Sequence, residues 1–318
     1  MEARDLRWIV RALGAADVEP VARLQALWAG YGEILRVRVL GDGATAPAAV
    51  VKHVRIPRGR DGEASRERKR RSYEVETTFY RAFAPRCDDD CRVPRLYAAR
   101  EGDDGRILVL EDLDGAGFPR RSSREDRWSL APCLDWLAAF HARFFGAALD
   151  GLWPVGSYWH LETRRDELAH VGDDALRAAA EDLDRALGDA RHRTLLHGDA
   201  KLANYCFSPD GARVAAVDFQ YAGAGPGVVD VAYLLYGAFD ESTERALVAR
   251  YFVRLRERLR ARGVDVATTD DVEREWRRLY PIAIADFARF LAGWAPEAFA
   301  ADARTRERVL RIVAHGGT

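Results

Sequence analysis

The segment His197–Asn204 sets a carboxylate, Asp199, five residues before an amide, Asn204. A second carboxylate, Asp218, follows the apolar run Val214–Val217, fourteen residues after the amide. Phosphoryl transfer from a nucleotide asks for such a set. One Asp takes the proton of an attacking hydroxyl, while an Asn and another Asp offer oxygen atoms to Mg²⁺ on the phosphates. Each residue has an ordinary reading when taken alone: a turn cap, a loop amide, a strand-ending acid. Their joint spacing favours the chemical one. Leu195-Leu196 ahead of His197-Gly198 reads as a strand end presenting Asp199 in a loop. Ser208-Pro209-Asp210-Gly211, between two short β-like runs, predicts a hairpin that folds Asn204 and Asp218 back to the same side.

Such chemistry also needs a lysine on a strand for the phosphates and a glutamate on the next helix to orient it. Lys52 sits inside the β-branched run Val50–Val54, where a charge is unfavourable to bury unless paired. Glu76 shares a predicted helix face with Tyr73, Tyr80 and Phe83 and fits as that partner. Gly30-Tyr31-Gly32 stands where a phosphate-covering loop would precede the strand, and an ordinary hairpin turn accounts for it about as well. Lys201 reads equally as a γ-phosphate contact or a solvated loop lysine. Asp230, at the start of a predicted helix, reads as a cap or as an acceptor for backbone N–H groups of the Asp199 loop. His141 reads as a core histidine bonded to backbone.

The elements that must hold these residues follow from periodicity. Leu6, Ile9 and Val10, then Val21, Leu24 and Leu27, predict helix over the first ~30 residues. Glu33–Val54 alternates as short strands, Arg55–Arg71 is a basic, solvated connector, and a helix runs on to about Ala84. Pro94–Ala98 and Ile107–Leu110 read as two further strands, and past Leu113 helices dominate. The result is an α+β fold with a small β-rich N-lobe, residues 1–112, a larger mostly helical C-lobe, residues 113–318, and a cleft between them. In the C-lobe, Asp286, Phe290 and Trp294 fall near one helical face. They read either as a substrate wall or, preferably, as core packing.

The bulk composition excludes several alternatives. With 49 basic and 50 acidic residues among 318, no overall field attracts nucleic acid or a membrane surface. No run approaches the roughly 18 apolar residues of a membrane span, and the start lacks the apolar core of a signal peptide. A cytoplasmic monomer or homodimer is expected. The four cysteines suggest no disulfide framework, and Cys87 and Cys91 lack the second ligand pair of a zinc site. Gly223–Gly227 begins like a dinucleotide fingerprint but carries Val228 in place of its third glycine. The P-loop, nucleophile-elbow and zincin motifs are absent from the sequence.

Four passages together resemble the aminoglycoside phosphotransferase and choline kinase family, nearest its ecdysteroid-kinase-like branch. They are VVKHV, SYEVETTFY, LVLEDLDGAGFP, and HGDAKLANYCF with VAAVDFQ and GPGVVDVAYLL. The resemblance implies a two-lobed protein-kinase-like fold and an ATP-dependent kinase with an alcohol group as acceptor. ATP and Mg²⁺ would be its cofactors and a small-molecule hydroxyl compound its partner. By the same resemblance Asp199 is the base, Asn204 and Asp218 bind Mg²⁺, and Lys52 with Glu76 grips the nucleotide phosphates. Gly30 and Gly32 would belong to the nucleotide loop, and Glu111, Asp112 and Leu113 to a hinge beside the purine. HGD lacks the arginine that anchors a phosphorylated activation loop, which turns the choice away from protein acceptors. The sequence departs from the family at Lys201, where many members carry an aromatic residue or histidine. A nucleotide-binding pseudokinase scaffold and a protein kinase are the alternative readings.

Overall fold

The structure, a computed structural model, describes residues 1–27, 30–55, 63–102, 105–123, 126–237 and 240–314. The chain divides into two compact units. The first comprises Met1–Asp88, Arg92–Arg121 and Cys206–Val217, and the second Asp89–Cys91, Ser122–Tyr205 and Asp218–Thr318. Residues 56–62 of the basic connector, and Asp103 and Asp104 of the turn between two predicted strands, lie outside the described residues.

In the first unit, α1 (Ala3–Ala12) opens on a capping box between Glu2 and Asp5. The chain leaves helical geometry near Gly14, at φ +62°. The next element, β1 (Asp17–Ala26), is a strand, which corrects the helix expected over residues 1–30. Pairing decides it: β1 runs antiparallel to β2 (Gly32–Leu40), with register shifts between Pro20 and Ala22 and between Arg23 and Gln25. Those shifts erase the two-residue alternation that would have marked a strand. Because β1 is a sheet edge, Val21 and Leu24 stay exposed, and their helix-like spacing marks no core face.

The antiparallel sheet has the order β1-β2-β3-β5-β4, so β3 (Ala48–Arg55) lies at its centre beside β5 (Gly105–Glu111), with β4 (Leu96–Gly102) at the far edge. Successive residues of a strand face opposite sides of the sheet. Ala49 and Val51 join Ile9, Leu13, Val37 and Val109 in the core under α1. Val54, on the other face, packs with Tyr31 and with Tyr73 of α2 (Glu63–Thr78). Lys52 shares that second face by parity, and so is aimed toward the helix bearing Glu76. The helix ends in a π-helical turn, Phe79–Phe83.

The second unit is mainly helical. α3 (Leu130–Arg143) is buried along most of its length. It is followed by α4 (Arg165–Leu168), α5 (Asp174–Ala178), α6 (Ala180–Gly188) and the short β6 (Thr194–Leu196). Next in the chain comes the hairpin of β7 (Tyr205–Phe207) and β8 (Val214–Ala216), which from Cys206 to Val217 belongs to the first unit; β9 (Gly223–Gly225) of the second unit follows and pairs antiparallel with β6. α7 (Val228–Leu235), α8 (Glu241–Ala261), α9 (Val266–Trp294), α10 (Pro296–Ala301) and α11 (Ala303–Ala314) complete the chain. α8 packs on α3, while α6 and α7 pack on α9. Asp240 and Asp265 cap α8 and α9 by accepting backbone N–H bonds in the first turn. No described helix is long and apolar enough to cross a membrane.

Candidate active site

In the first unit the expected lysine–glutamate partnership forms. Lys52 Nζ lies 2.8 Å from the Glu76 carboxylate, and the two side chains are only 4% and 2% exposed. Tyr73 adds a ring face 5.9 Å from the ammonium. Two charges so deeply buried are tolerable because each neutralises the other. The Gly30–Gly32 turn lies between β1 and β2, where Gly30 takes φ +77° and Gly32 φ +131°. A Cβ on Gly32 would stand 2.0 Å from the His53 carbonyl oxygen, so the turn approaches β3 as closely as backbone allows.

The expected hinge has its side chains committed. Glu111 Oε2 accepts from the Arg95 backbone N–H at 3.0 Å and pairs with Arg92. Asp112 is held by Arg36 Nε at 2.8 Å, and Arg36 also reaches Asp114. Leu113 is buried with Phe118, Cys206 and Ala215. What this segment can present to a ligand is backbone, not free carboxylates.

In the second unit, β6 ends at Leu196 and the chain turns sharply at Gly198, φ +79°. A Cβ at Gly198 would lie 2.0 Å from the Tyr221 carbonyl oxygen, so only glycine lets the loop lie against the segment after Asp218. Asp199 follows at once. Its Oδ2 accepts from Lys201 Nζ at 2.8 Å and from Asn204 Nδ2 at 3.0 Å, and Asn204 also bonds the Asp199 carbonyl at 2.8 Å. Asp199 Oδ1 is buried and has no hydrogen-bond partner among the described residues. Burial pushes the Asp199 carboxyl above its ordinary range; Lys201 draws it down in part, and the charge of Asp218 pushes it further up. For Lys201, burial works against the ammonium, yet Asp199 outweighs it and the net shift is upward. Asp218 stands at φ +70°, an uncommon backbone for a non-glycine residue, with Oδ1 accepting from Gln220 Nε2 at 2.7 Å.

The loop is fixed from behind by Asp230 in the first turn of α7. Its fully buried carboxylate accepts the backbone N–H of His197 at 2.7 Å and of Gly198 at 3.0 Å. His141 Nε2 lies 3.1 Å from the same carboxylate, and its Nδ1 lies 2.8 Å from Tyr251 Oη. His141 is thus a core residue, but side chains hold its ring, whereas backbone partners were expected.

A sequence model of the phosphotransferase enzyme family matches residues 9–264. The chain belongs to that family. This makes it a phosphotransferase acting on a hydroxyl-bearing small molecule. The match does not single out the ecdysteroid-kinase-like branch. Among solved structures, this phosphotransferase is similar to a microcompartment-associated aminopropanol kinase, at 15% identity and TM-score 0.55 over 99% of each chain. It also resembles a choline/ethanolamine kinase family protein from Mesorhizobium loti, at 17% identity and TM-score 0.53 over 98% of this chain and 99% of that one. An ethanolamine kinase from Plasmodium vivax gives 11% identity and TM-score 0.52 over 94% and 82% of the two chains. At these identities the likeness is one of fold, protein-kinase-like with a β-sheet N-terminal part and a helical C-terminal part. No curated protein matches the chain.

The expected partnership of Lys52 with Glu76 is thus present in the first unit, while in the second Asp199 bonds Lys201 and Asn204, pairings that the sequence reading did not anticipate. Two contributors had no signal in local spacing. The His197 ring packs 4.6 Å from Phe219 between centroids, while its Nδ1 accepts the Asp199 N–H at 3.3 Å. Tyr158 donates its backbone N–H to the Gly198 carbonyl at 3.0 Å, from a loop forty residues earlier in the chain.

Proposed function

We propose that this phosphotransferase moves the γ-phosphate of ATP to a hydroxyl of a small molecule, with Asp199 as the base. The observation that carries the reading is the asymmetry of the Asp199 carboxylate: Oδ2 is held by two donors, while Oδ1 is buried and unpartnered. A hydroxyl proton is the group that would complete it. The raised pKa makes the carboxylate a better proton acceptor, while the Lys201 ammonium draws it back toward the charged form.

The donor set also fits a magnesium ion. Asn204 spends its N–H groups on Asp199, which leaves its amide oxygen for a hard cation, and Asp218 supplies carboxylate oxygen. When bound there, the ion neutralises phosphate charge. In this reading Lys52, oriented by Glu76, holds the nucleotide phosphates, with Gly30 and Gly32 in the nucleotide loop and Glu111–Leu113 as the purine hinge. The first lobe would be residues 1–112 and the second 113–318. Lys201 offers its ammonium to the transferred phosphoryl group while restraining Asp199. The absence of any long apolar helix among the described residues, with near-zero net charge, supports a cytoplasmic enzyme.

The test is Asp199→Asn in purified protein, assayed with Mg-ATP over an alcohol panel. Transfer should fall by roughly 10²–10⁴-fold. The midpoint of thermal unfolding should hold or rise near neutral pH, because the substitution removes a desolvated charge. A variant as active as the parent would sink the role given to Asp199.

A further inference from the structure

We propose that Trp153 and Gln220 are positioning residues for Asp218, holding its strained backbone and its carboxylate ready for a divalent cation. This rests on the cation-binding role given to Asp218 above and extends it to the side chains that set the ligand.

Backbone strain marks the place. Apart from glycines, only Ser157 and Asp218 among the described residues take a positive φ, at 148° and 70°. Such backbone is unfavourable for a residue with a Cβ and persists only where the surroundings over-determine it. Both residues belong to the second unit. Ser157 lies in the stretch Trp153–Tyr158, and Asp218 opens the stretch that leads into β9.

Backbone bonds zip these two stretches together. Trp153 N–H donates to the Ala222 carbonyl at 3.1 Å, and Ala224 N–H returns a bond to the Trp153 carbonyl at 3.3 Å. Gly156 N–H reaches the Ala224 carbonyl at 2.9 Å, and Tyr158 N–H reaches that of Gly198, next to Asp199, at 3.0 Å. A Cβ on Gly223 would stand 2.4 Å from the Trp153 carbonyl oxygen, and one on Gly156 2.7 Å from that of Gly223. The two glycines allow an approach that any side chain would prevent.

Two side chains carry the restraint from the zip back to Asp218. The Trp153 indole N–H donates to the Gln220 carbonyl at 2.8 Å. Its ring lies nearly parallel to that of Tyr221, with centroids 6.3 Å apart and planes at 12°. Gln220 is buried, and its Nε2 donates to Asp218 Oδ1 at 2.7 Å. The first bond fixes the backbone at residue 220, and the second fixes the carboxylate at residue 218. The choice of a neutral donor is informative. A lysine or arginine at 220 would hold Asp218 as firmly, but it would cancel the charge a cation needs. An amide restrains the carboxylate and leaves that charge in place. A ligand ordered beforehand spares the ion the cost of ordering it.

The experiment titrates Mn²⁺ by electron paramagnetic resonance into the protein saturated with ADP, and measures metal-free ADP binding by calorimetry alongside. Gln220→Met keeps the length and drops the donor, and should weaken Mn²⁺ binding about tenfold. Trp153→Phe keeps a ring on Tyr221 but loses the N–H, and should weaken it about threefold. Metal-free ADP affinity should stay at the parent value in both, which a general loosening of the fold would not allow. Trp153→Phe, the milder change, carries the test if Gln220→Met does not fold. Parent affinity for Mn²⁺ in either variant, or an equal fall in metal-free ADP affinity, overturns the proposal for that residue. Asp218→Asn, run beside them, should lose at least as much Mn²⁺ affinity as Gln220→Met. If it does so while both other variants bind as the parent, only the positioning role falls. If Asp218→Asn itself binds Mn²⁺ as the parent does, the cation role of Asp218 fails and the positioning role falls with it. Absence of Mn²⁺ binding by the parent overturns both.

Discussion

Lys52–Glu76 in the first unit and Lys201–Asp199 in the second are ion pairs of the same 2.8 Å separation in different surroundings. The first is sealed, at 4% and 2% exposure; the second leaves its lysine 45% exposed. A sealed pair is held by the cost of separating it, so it behaves as a rigid fixture that fixes where the ammonium points. A half-exposed pair is screened by water and cheap to rearrange. A lysine so exposed can reorient, as the proposed phosphate contact of Lys201 requires. Equal geometry therefore serves two purposes, and burial decides which.

The sharpest way to break this contrast is to remove one partner from each pair. Glu76→Ala strands a buried ammonium and should destabilise the protein by about 3–5 kcal/mol, read by urea unfolding. Loss below about 1 kcal/mol would mean that the first pair is no fixture. Asp230→Asn comes next. The Asn side chain can accept through only one oxygen, so the bonds to His197 and Gly198 cannot both be kept. A loss of about 1.5–3 kcal/mol and a lower kcat are expected, with the KM for nucleotide little changed.

The smallest effect on stability should come from Lys201→Met, under about 1 kcal/mol, because its pair is half exposed. Its effect on pH dependence should be larger than its effect on folding. Lys201 lowers the Asp199 pKa, so removing it raises that pKa further. In the proposed role Asp199 acts as the charged carboxylate, so activity would rise as pH passes through its pKa. The acid limb of kcat/KM should therefore move to higher pH in Lys201→Met. An unmoved limb would separate Lys201 from Asp199 and undo the contrast from the other side.

Much of this was legible in the chain because the chemistry is local there. Asp199, Lys201 and Asn204 lie on one short loop, where spacing in sequence is nearly spacing in space. Lys52 was legible for another reason: a charge inside a β-branched strand demands a partner, and a helix face offered Glu76. β1 was misread because this irregular edge strand buries only Val18, and period is visible only where a whole face is buried. His141 was placed in the core correctly, yet its partners, Asp230 and Tyr251, come from distant helices that no local pattern announces.

The sequence by itself thus determined the family, the pairing of Lys52 with Glu76, and which residues stand as candidates for the site, since each follows from residue type at short or periodic spacing. Only the tertiary structure decided three further points. One is that Asp199 keeps an oxygen unpartnered, and another is that one ion pair is sealed while the other is open. The third is that Tyr158, from a distant loop, packs its ring on Phe290 of α9. The reason is physical: burial and stacking depend on what the rest of the chain brings alongside, which spacing along a single stretch does not encode.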